Sequence, residues 1–325
     1  MKHLKWIFAL GALALITACC QPQPELQVVQ PLFNGFYGAD PVIVEHEGQY
    51  YIYATKDPWG GDDLAVFVTR DFVSWEEESI NWPTKAACTS PTSRDAMVWA
   101  PDVVKGKDGR FYMYVSVGSE IWAGESDHPL GPWANMLPDN RPLVKADAFG
   151  EAVHNIDANC FIDDDGRIYL YWGSGCNWVN GRCMAVELAG DMHTFMNEPR
   201  DITPPNFFEG AFMIKHNGQY YLMYSDGMAI NDTYHIRYST SDTPYGPWTE
   251  GPHSPLALTS PEDSVFGPGH HSVFRHKNQD YILYHQLAPQ DEEYVLRQLY
   301  IDSLNYDDAG NMLPLSFEGI APLAW

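Results

Sequence analysis

With 43 acidic against 19 basic side chains among 325 residues, the chain carries a formal net charge of -24. Such a polyanion has no basic footprint for nucleic acid or an anionic lipid surface, which excludes both as partners of the protein body but leaves a neutral polysaccharide open. The length allows one large domain or two ordinary ones with a sizeable core, and 19 Tyr, 15 Phe and 11 Trp suit β-sheets and clefts where rings stack on sugars.

The chain opens as a targeting segment. Lys2 and Lys5 precede an uncharged, mostly apolar run, Trp6 to Ala18, too short to span a bilayer as a mature helix. It ends Ile16-Thr17-Ala18-Cys19, which resembles the bacterial lipoprotein lipobox. That resemblance implies a signal peptide over 1–18 and lipidation of Cys19. The mature protein would be exported and anchored by lipid alone, in the outer membrane or periplasm or at the cell surface. An ordinary secretory signal is the alternative. Residues 19–30 read as a tether.

From residue 31 onward an aromatic strand core recurs five times, at Gly48–Thr55, Gly109–Val117, Gly166–Ser174, Gly218–Asp226 and Asn278–Gln286. Its aligned tyrosines are Tyr51, Tyr112, Tyr169, Tyr221 and Tyr281. A second phrase, a turn with an Asp shortly before an aromatic, follows four of the cores, ending at Trp75, Trp133, Phe195 and Trp248. The pattern has period two, and helix-period stretches are scarce. Repeats of this size without helices predict propeller blades, so 31–325 is predicted to be all-β, a single five-bladed β-propeller.

In a propeller the innermost strand of each blade lines the axial channel, so the heads of the five inner strands share one ring. Those heads carry Asp40, Asp102, Asp157, Glu209 and the pair His270-His271, at near-constant offsets of 10 to 12 residues from the aligned tyrosines. Carboxylates brought together push one another's pKa values apart, which separates an acid from a base at one pH. Glycoside hydrolysis uses that arrangement.

The ordered motifs Phe36-Tyr-Gly-Ala-Asp-Pro-Val-Ile43, Trp99-Ala-Pro-Asp-Val103, Ile156-Asp-Ala-Asn-Cys-Phe-Ile-Asp-Asp-Asp-Gly166, Glu209-Gly-Ala-Phe-Met213 and Gly267-Pro-Gly-His-His-Ser-Val273 resemble glycoside hydrolase family 43. The resemblance spans essentially the whole mature chain. It implies an inverting hydrolase with Asp40 as general base, Glu209 as general acid and Asp157 as the carboxylate that raises and orients the acid. It implies substrate contacts from Trp99, Phe36, His270 and Arg297, the last on the substrate or on the base, with His270 or its neighbour His271 facing inward. No cofactor is required, although His270 would be placed to help hold an axial Ca2+. One departure is Gly38, which lies between the usual aromatic and Ala39-Asp40.

The expected substrates are arabinose- or xylose-containing polysaccharides or oligosaccharides of plant hemicellulose or pectin, cut by a monomer in an exo or debranching manner. An endo-arabinanase, an exo-galactanase, a non-catalytic carbohydrate-binding propeller and a structural scaffold are the alternatives. Several residues carry plainer readings. Asp102 reads as structural or peripheral, and residues 163–166 as a hairpin turn and not a calcium loop. Cys176 and Cys183, around the turn signal Asn180-Gly181, form either a hairpin disulfide or free thiols. Trp122 and Trp178 are candidate rim aromatics for sugars.

Overall fold

The computed structural model describes residues 31–150, 152–176, 180–288 and 295–320. The leader, Cys19, the tether and Trp178 lie outside these residues. Among the described residues every named strand belongs to one of five antiparallel sheets, each starting at the axis and running outward. Blade one is β1 (Gly38–His46), β2 (Gln49–Lys56), β3 (Ala65–Thr69) and β4 (Trp75–Glu78), and blade two is β5 (Val98–Lys105), β6 (Phe111–Val117), β7 (Glu120–Ser126) and β8 (Ala134–Asn135). Blade three is β9 (Asn159–Ile162), β10 (Ile168–Trp172), β11 (Met184–Leu188) and β12 (Arg200–Asp201). Blade four is β13 (Glu209–His216), β14 (Gln219–Asp226), β15 (His235–Ser241) and β16 (Thr249–Glu250). Blade five has β17 (Gly269–His276), β18 (Gln279–Leu287) and β19 (Arg297–Leu304).

The inner strands touch in a closed ring: β1 meets β5, β5 meets β9, β9 meets β13, β13 meets β17, and β17 returns to β1. The five-bladed prediction therefore holds. The N-terminal segment strengthens the closure, because the Leu32 amide donates to the Leu299 carbonyl at 2.8 Å and Phe33 packs between blades five and one.

The core sits between blades, in five apolar clusters that each join two neighbouring sheets. The two repeated phrases meet there. Tyr53 in the first core donates its hydroxyl to the Pro129 carbonyl at 2.7 Å, in the outer turn of blade two. Tyr114 does the same to Met192 of blade three at 2.6 Å, and Tyr171 to Pro244 of blade four at 3.0 Å. Each buried ring thus fills the inter-blade space while its polar tip finds a partner in the next blade. The outer edge is protected by charge, since Glu76, Glu77 and Glu78 on β4 are all exposed.

One expectation fails in the core, and one open alternative is decided. Trp122 is no rim aromatic: it is fully buried on β7, with its indole N–H 3.3 Å from Glu120 Oε2. Alternation along β7 turns it into the seam between blades one and two. Cys176 and Cys183 are both free thiols, the first exposed and the second buried. Residues 163–166 form the expected hairpin turn, with the Gly166 amide on the Asp163 carbonyl at 2.9 Å.

Candidate active site

The site begins as a backbone feature repeated five times. Val44, Val104, Phe161, Ile214 and Phe274 pair across the first hairpin with the five aligned tyrosines. Four residues before each stands a left-handed residue: Asp40, Ala100, Asp157, Gly210 and His270, with φ of 52°, 42°, 59°, 64° and 40°. In four blades the strand register shifts beside this residue, as at a β-bulge. Four of the five are not glycine, a cost on the order of 1 kcal/mol each. The surrounding hydrogen bonds hold them there.

Those bonds come from one position, four residues past each aligned tyrosine. Thr55 Oγ1 accepts the Ala100 amide at 2.8 Å, Ser116 Oγ the Asp157 amide at 3.0 Å, and Ser225 Oγ the His270 amide at 2.9 Å. His285 Nδ1 accepts the Asp40 amide at 3.3 Å, closing the ring from blade five to blade one. In blade three the position is Gly173, with no side chain to offer, and the Gly210 amide turns instead to the Asp157 carboxylate.

This register corrects the expected ring. Asp40, Asp157 and His270 are true equivalents. Glu209 lies one residue before its blade's bulge, and Asp102 two residues beyond. Asp102 is buried in a strut between blades, accepting the Cys160 amide at 2.7 Å and Asn159 Nδ2 at 3.2 Å, while Asn159 Oδ1 takes the Met213 amide. Burial pushes its carboxyl up to about 7 against those two bonds.

The five heads open into a cavity of about 400 Å³ lined by Asp40, Asp157, Glu209, His270, Trp99 and Arg297, together with Trp59, His154, Ser174 and Phe208. Beneath it the axial space narrows to about 20 Å³, beside Asp102 and His271. That is room on the scale of one water, so the cavity is closed to a sugar at its depth.

Asp40 is 4% exposed and is surrounded by donors. Thr55 Oγ1 donates to its Oδ2 at 2.7 Å; His270 Nδ1 lies 3.1 Å from its Oδ1 and Arg297 Nη1 3.5 Å. Burial alone would raise its pKa, but the charges of His270 and Arg297 outweigh burial and hold the carboxyl far below the usual range. Asp157 and Glu209 go the other way. Burial raises Asp157, and the neighbouring Glu209 and Asp40 carboxylates raise it further. Burial also raises Glu209, against His270 and against hydroxyl donors at 2.8 Å from Ser174 and Tyr234. The cavity therefore holds one carboxylate that stays ionised and a pair that favours keeping a proton.

Trp99 stands in the cavity wall, its indole N–H fixed on the Gly118 carbonyl at 3.0 Å. Phe36 does not face the cavity. Its ring packs edge-on against Phe67 at 4.9 Å and Phe33 at 5.9 Å. Gly38 is the reason: a Cβ there would lie 2.5 Å from the Phe36 ring, so the glycine lets the ring fold back into the core. His270 faces the cavity between Asp40 and Asp157, and His271 faces the narrow axial space, its ring nitrogens without a protein partner among the described residues. Burial pushes His271 down to about 3, so it is neutral at physiological pH. Among the described residues no three His, Cys, Asp or Glu side chains converge as metal ligands. His270 Nδ1 lies against the Asp40 and Asp157 carboxylates, at 3.1 and 3.9 Å.

Other site residues escaped sequence reading. Thr55 and His285 stand in the repeated phrase itself and could have been found by aligning it past the tyrosine. Tyr234 leaves no local signal except through Gly269, where a Cβ would lie 1.9 Å from its ring.

Residues 28–312 match the sequence profile of Glycosyl hydrolases family 43. The chain belongs to that family. Among family 43 relatives it is 32% identical over 309 residues to a β-D-galactofuranosidase of Aspergillus niger, covering 89% of this chain and 86% of that protein. It is 30% identical over 297 residues to an arabinoxylan arabinofuranohydrolase of Bacillus subtilis, covering 78% of this chain and 57% of the other. A β-xylosidase of Xylanibacter ruminicola is 27% identical over 331 residues, with 86% and 97% covered. The crystal structure of a thermostable family 43 glycoside hydrolase superposes with a TM-score of 0.72 at 26% identity, over 92% of this chain and 98% of that one.

Proposed function

We propose that this family 43 protein is an inverting glycoside hydrolase that releases single pentoses, L-arabinofuranose or D-xylose, from plant hemicellulose or pectin. The observation that carries the reading is the split between Asp40, held ionised by His270 and Arg297, and Glu209, biased by burial toward its protonated form, across one closed cavity. Asp40 takes a proton from water as that water attacks the anomeric carbon. Glu209 gives its proton to the departing oxygen on the other face. Asp157 shares the raised-pKa environment with Glu209 and, through the Gly210 amide, braces the backbone beside it. Trp99 supplies a flat wall for the sugar ring. A cavity closed at its depth admits a terminal or branching sugar, which favours exo or debranching action over internal cleavage.

The test is release of sugar from aryl α-L-arabinofuranoside, aryl β-D-xyloside, arabinoxylan and arabinan. Release from a pentoside that disappears in Glu209→Ala on natural substrates supports the reading. Internal cuts in arabinan would make it an endo-arabinanase, and galactose from galactan an exo-galactanase. No release with retained binding would make it a carbohydrate-binding propeller. The similarity to a β-D-galactofuranosidase favours one further arm, an aryl β-D-galactofuranoside, because a hexofuranose presents the same five-membered ring with a longer tail. We also infer export as a lipoprotein from the lipobox-like Cys19, and take the protein to be a monomer. Cys19→Ala should move the protein from the membrane to the soluble fraction.

A further inference from the structure

Asp57 follows β2 directly, and its side chain has no exposed surface. Its carboxylate takes three donors from one residue: the Arg297 amide at 2.8 Å and Nε at 3.1 Å on Oδ2, and Nη2 at 2.6 Å on Oδ1. Asp40 receives only the remaining Nη1, at 3.5 Å, the outer limit of a hydrogen bond. One guanidinium thus lies between two buried carboxylates and is given almost wholly to the one that does not face the sugar.

The same ion pair ends a pinned loop at the pocket mouth. The Asp57 amide donates to the Tyr37 carbonyl at 3.1 Å, the Gly60 amide to Lys56 at 2.8 Å, and Gly61 and Val98 exchange both backbone bonds, at 3.2 and 2.9 Å. Gly60 has φ +108°, and a Cβ there would lie 2.8 Å from Met97 Cβ, so the loop closes tightly against blade two. Trp59 rides on this loop, lines the cavity and is 39% exposed, with the Arg297 guanidinium 5.4 Å from its ring centroid. A cation at that distance holds the ring by its face.

We propose that Asp57 is a positioning residue for the base: by holding Arg297 it keeps the guanidinium off Asp40, and it fixes Trp59 at the mouth through the same ion pair. The proposal rests on the assignment of Asp40 as the base. Without the Asp57 charge, a shift of Arg297 by less than about 1 Å would bring Nη1 onto Asp40 Oδ1 at charge-assisted distance. That N–H would then occupy a lone pair that the attacking water needs. A carboxylate so stabilised accepts a proton less readily, so the general-base step slows.

The test is a double-mutant cycle of Asp57→Asn and Arg297→Gln on an aryl arabinofuranoside, with kcat counted per folded protein by circular dichroism. Asp57→Asn should lower kcat about tenfold. In the Arg297→Gln background the same change should lower it by less than about twofold, because no guanidinium remains to move. A wild-type kcat in Asp57→Asn, or a full tenfold loss repeated in the Arg297→Gln background, overturns the proposal. If Asp57→Asn does not fold, Asp57→Ser runs the same cycle with the same criteria. Asp40→Asn separates the two levels of the argument. If Asp40→Asn is inactive and the cycle is additive, the base stands and Asp57 falls; if Asp40→Asn stays active, the base assignment falls.

Discussion

Replacing Thr55 by valine would test the hydroxyl latch on which the ring of bulges depends. Thr55 has no exposed surface, and its hydroxyl works in two directions: it donates to Asp40 Oδ2 at 2.7 Å and accepts the Ala100 amide at 2.8 Å. Valine keeps the shape and deletes both bonds. Ala100 is 2% exposed, so its amide would lose its partner away from water, at about 1–3 kcal/mol. The bond to a charged carboxylate is worth about 1.5–3 kcal/mol. Thr55→Val should therefore lose roughly 3–5 kcal/mol in urea unfolding, a fifth or more of the stability of an ordinary domain of about 5–15 kcal/mol. Thr55→Ser keeps the hydroxyl and loses one buried methyl, about 1 kcal/mol. Ser116→Ala and Ser225→Ala each free a single bulge amide, so each should cost about 1–3 kcal/mol. Activity should fall with Thr55→Val beyond the unfolded fraction, because the loosened carboxylate is Asp40. Unfolding free energies from urea for Thr55→Val and Thr55→Ser within about 0.5 kcal/mol of each other would refute the latch.

Three further outcomes follow from the same geometry. Asp40→Asn should abolish hydrolysis even of activated aryl glycosides, since water still needs its base, whereas Glu209→Gln should retain part of its rate when the leaving group is good; equal losses on an activated substrate would contradict the two roles. Tyr234→Phe removes a donor that favours ionised Glu209, so the carboxyl, already raised by burial, rises further; activity is lost as pH climbs through that pKa, and the basic limb of the kcat profile should move to higher pH, an unmoved or lowered limb counting against it. Trp122→Ala opens a cavity in the seam between blades one and two and should cost about 3–5 kcal/mol in thermal or urea unfolding. It should leave KM for any aryl glycoside unchanged, which a sugar-contacting rim tryptophan would not.

The blade count was legible because the Tyr-rich core recurs on the second strand of every blade, where in the first three a ring with a polar tip spans to the next blade. The ring of heads was legible only in outline. Choosing the first acid near each strand start placed Asp102 in the ring, where the backbone puts Ala100. The turns of blades two and three are one residue longer between paired positions, so a count from the tyrosine drifts there. Pairing, not counting, sets the register, and pairing becomes visible only with both strands of the hairpin in place. Phe36 failed for a related reason. A glycine beside an aromatic reads as an insertion in a motif, but its effect is to clear space for the ring to turn away from the cavity. Trp59 and Asp57 sit between repeats, where no second copy exists for comparison.

The division of labour among the carboxylates follows from where the ring closes. Blade five supplies His270 from β17, His285 from β18 and Arg297 from β19, and β17 lies against β1. All three therefore arrive beside Asp40. Glu209 sits in blade four, and its hydrogen-bond donors among the described residues are the hydroxyls of Ser174 and Tyr234, neutral groups over which, together with His270, burial still prevails. Asp157, in blade three, faces two other carboxylates and accepts the Gly210 amide. A backbone that is nearly fivefold thus yields an electrostatically one-sided pocket because the cations come from a single blade. Moving a guanidinium from blade five to the Ser174 position would supply the charge that Glu209 lacks, depress its pKa and remove the proton it has to give. The proposed acid role depends on that blade staying neutral as much as on the carboxyl itself.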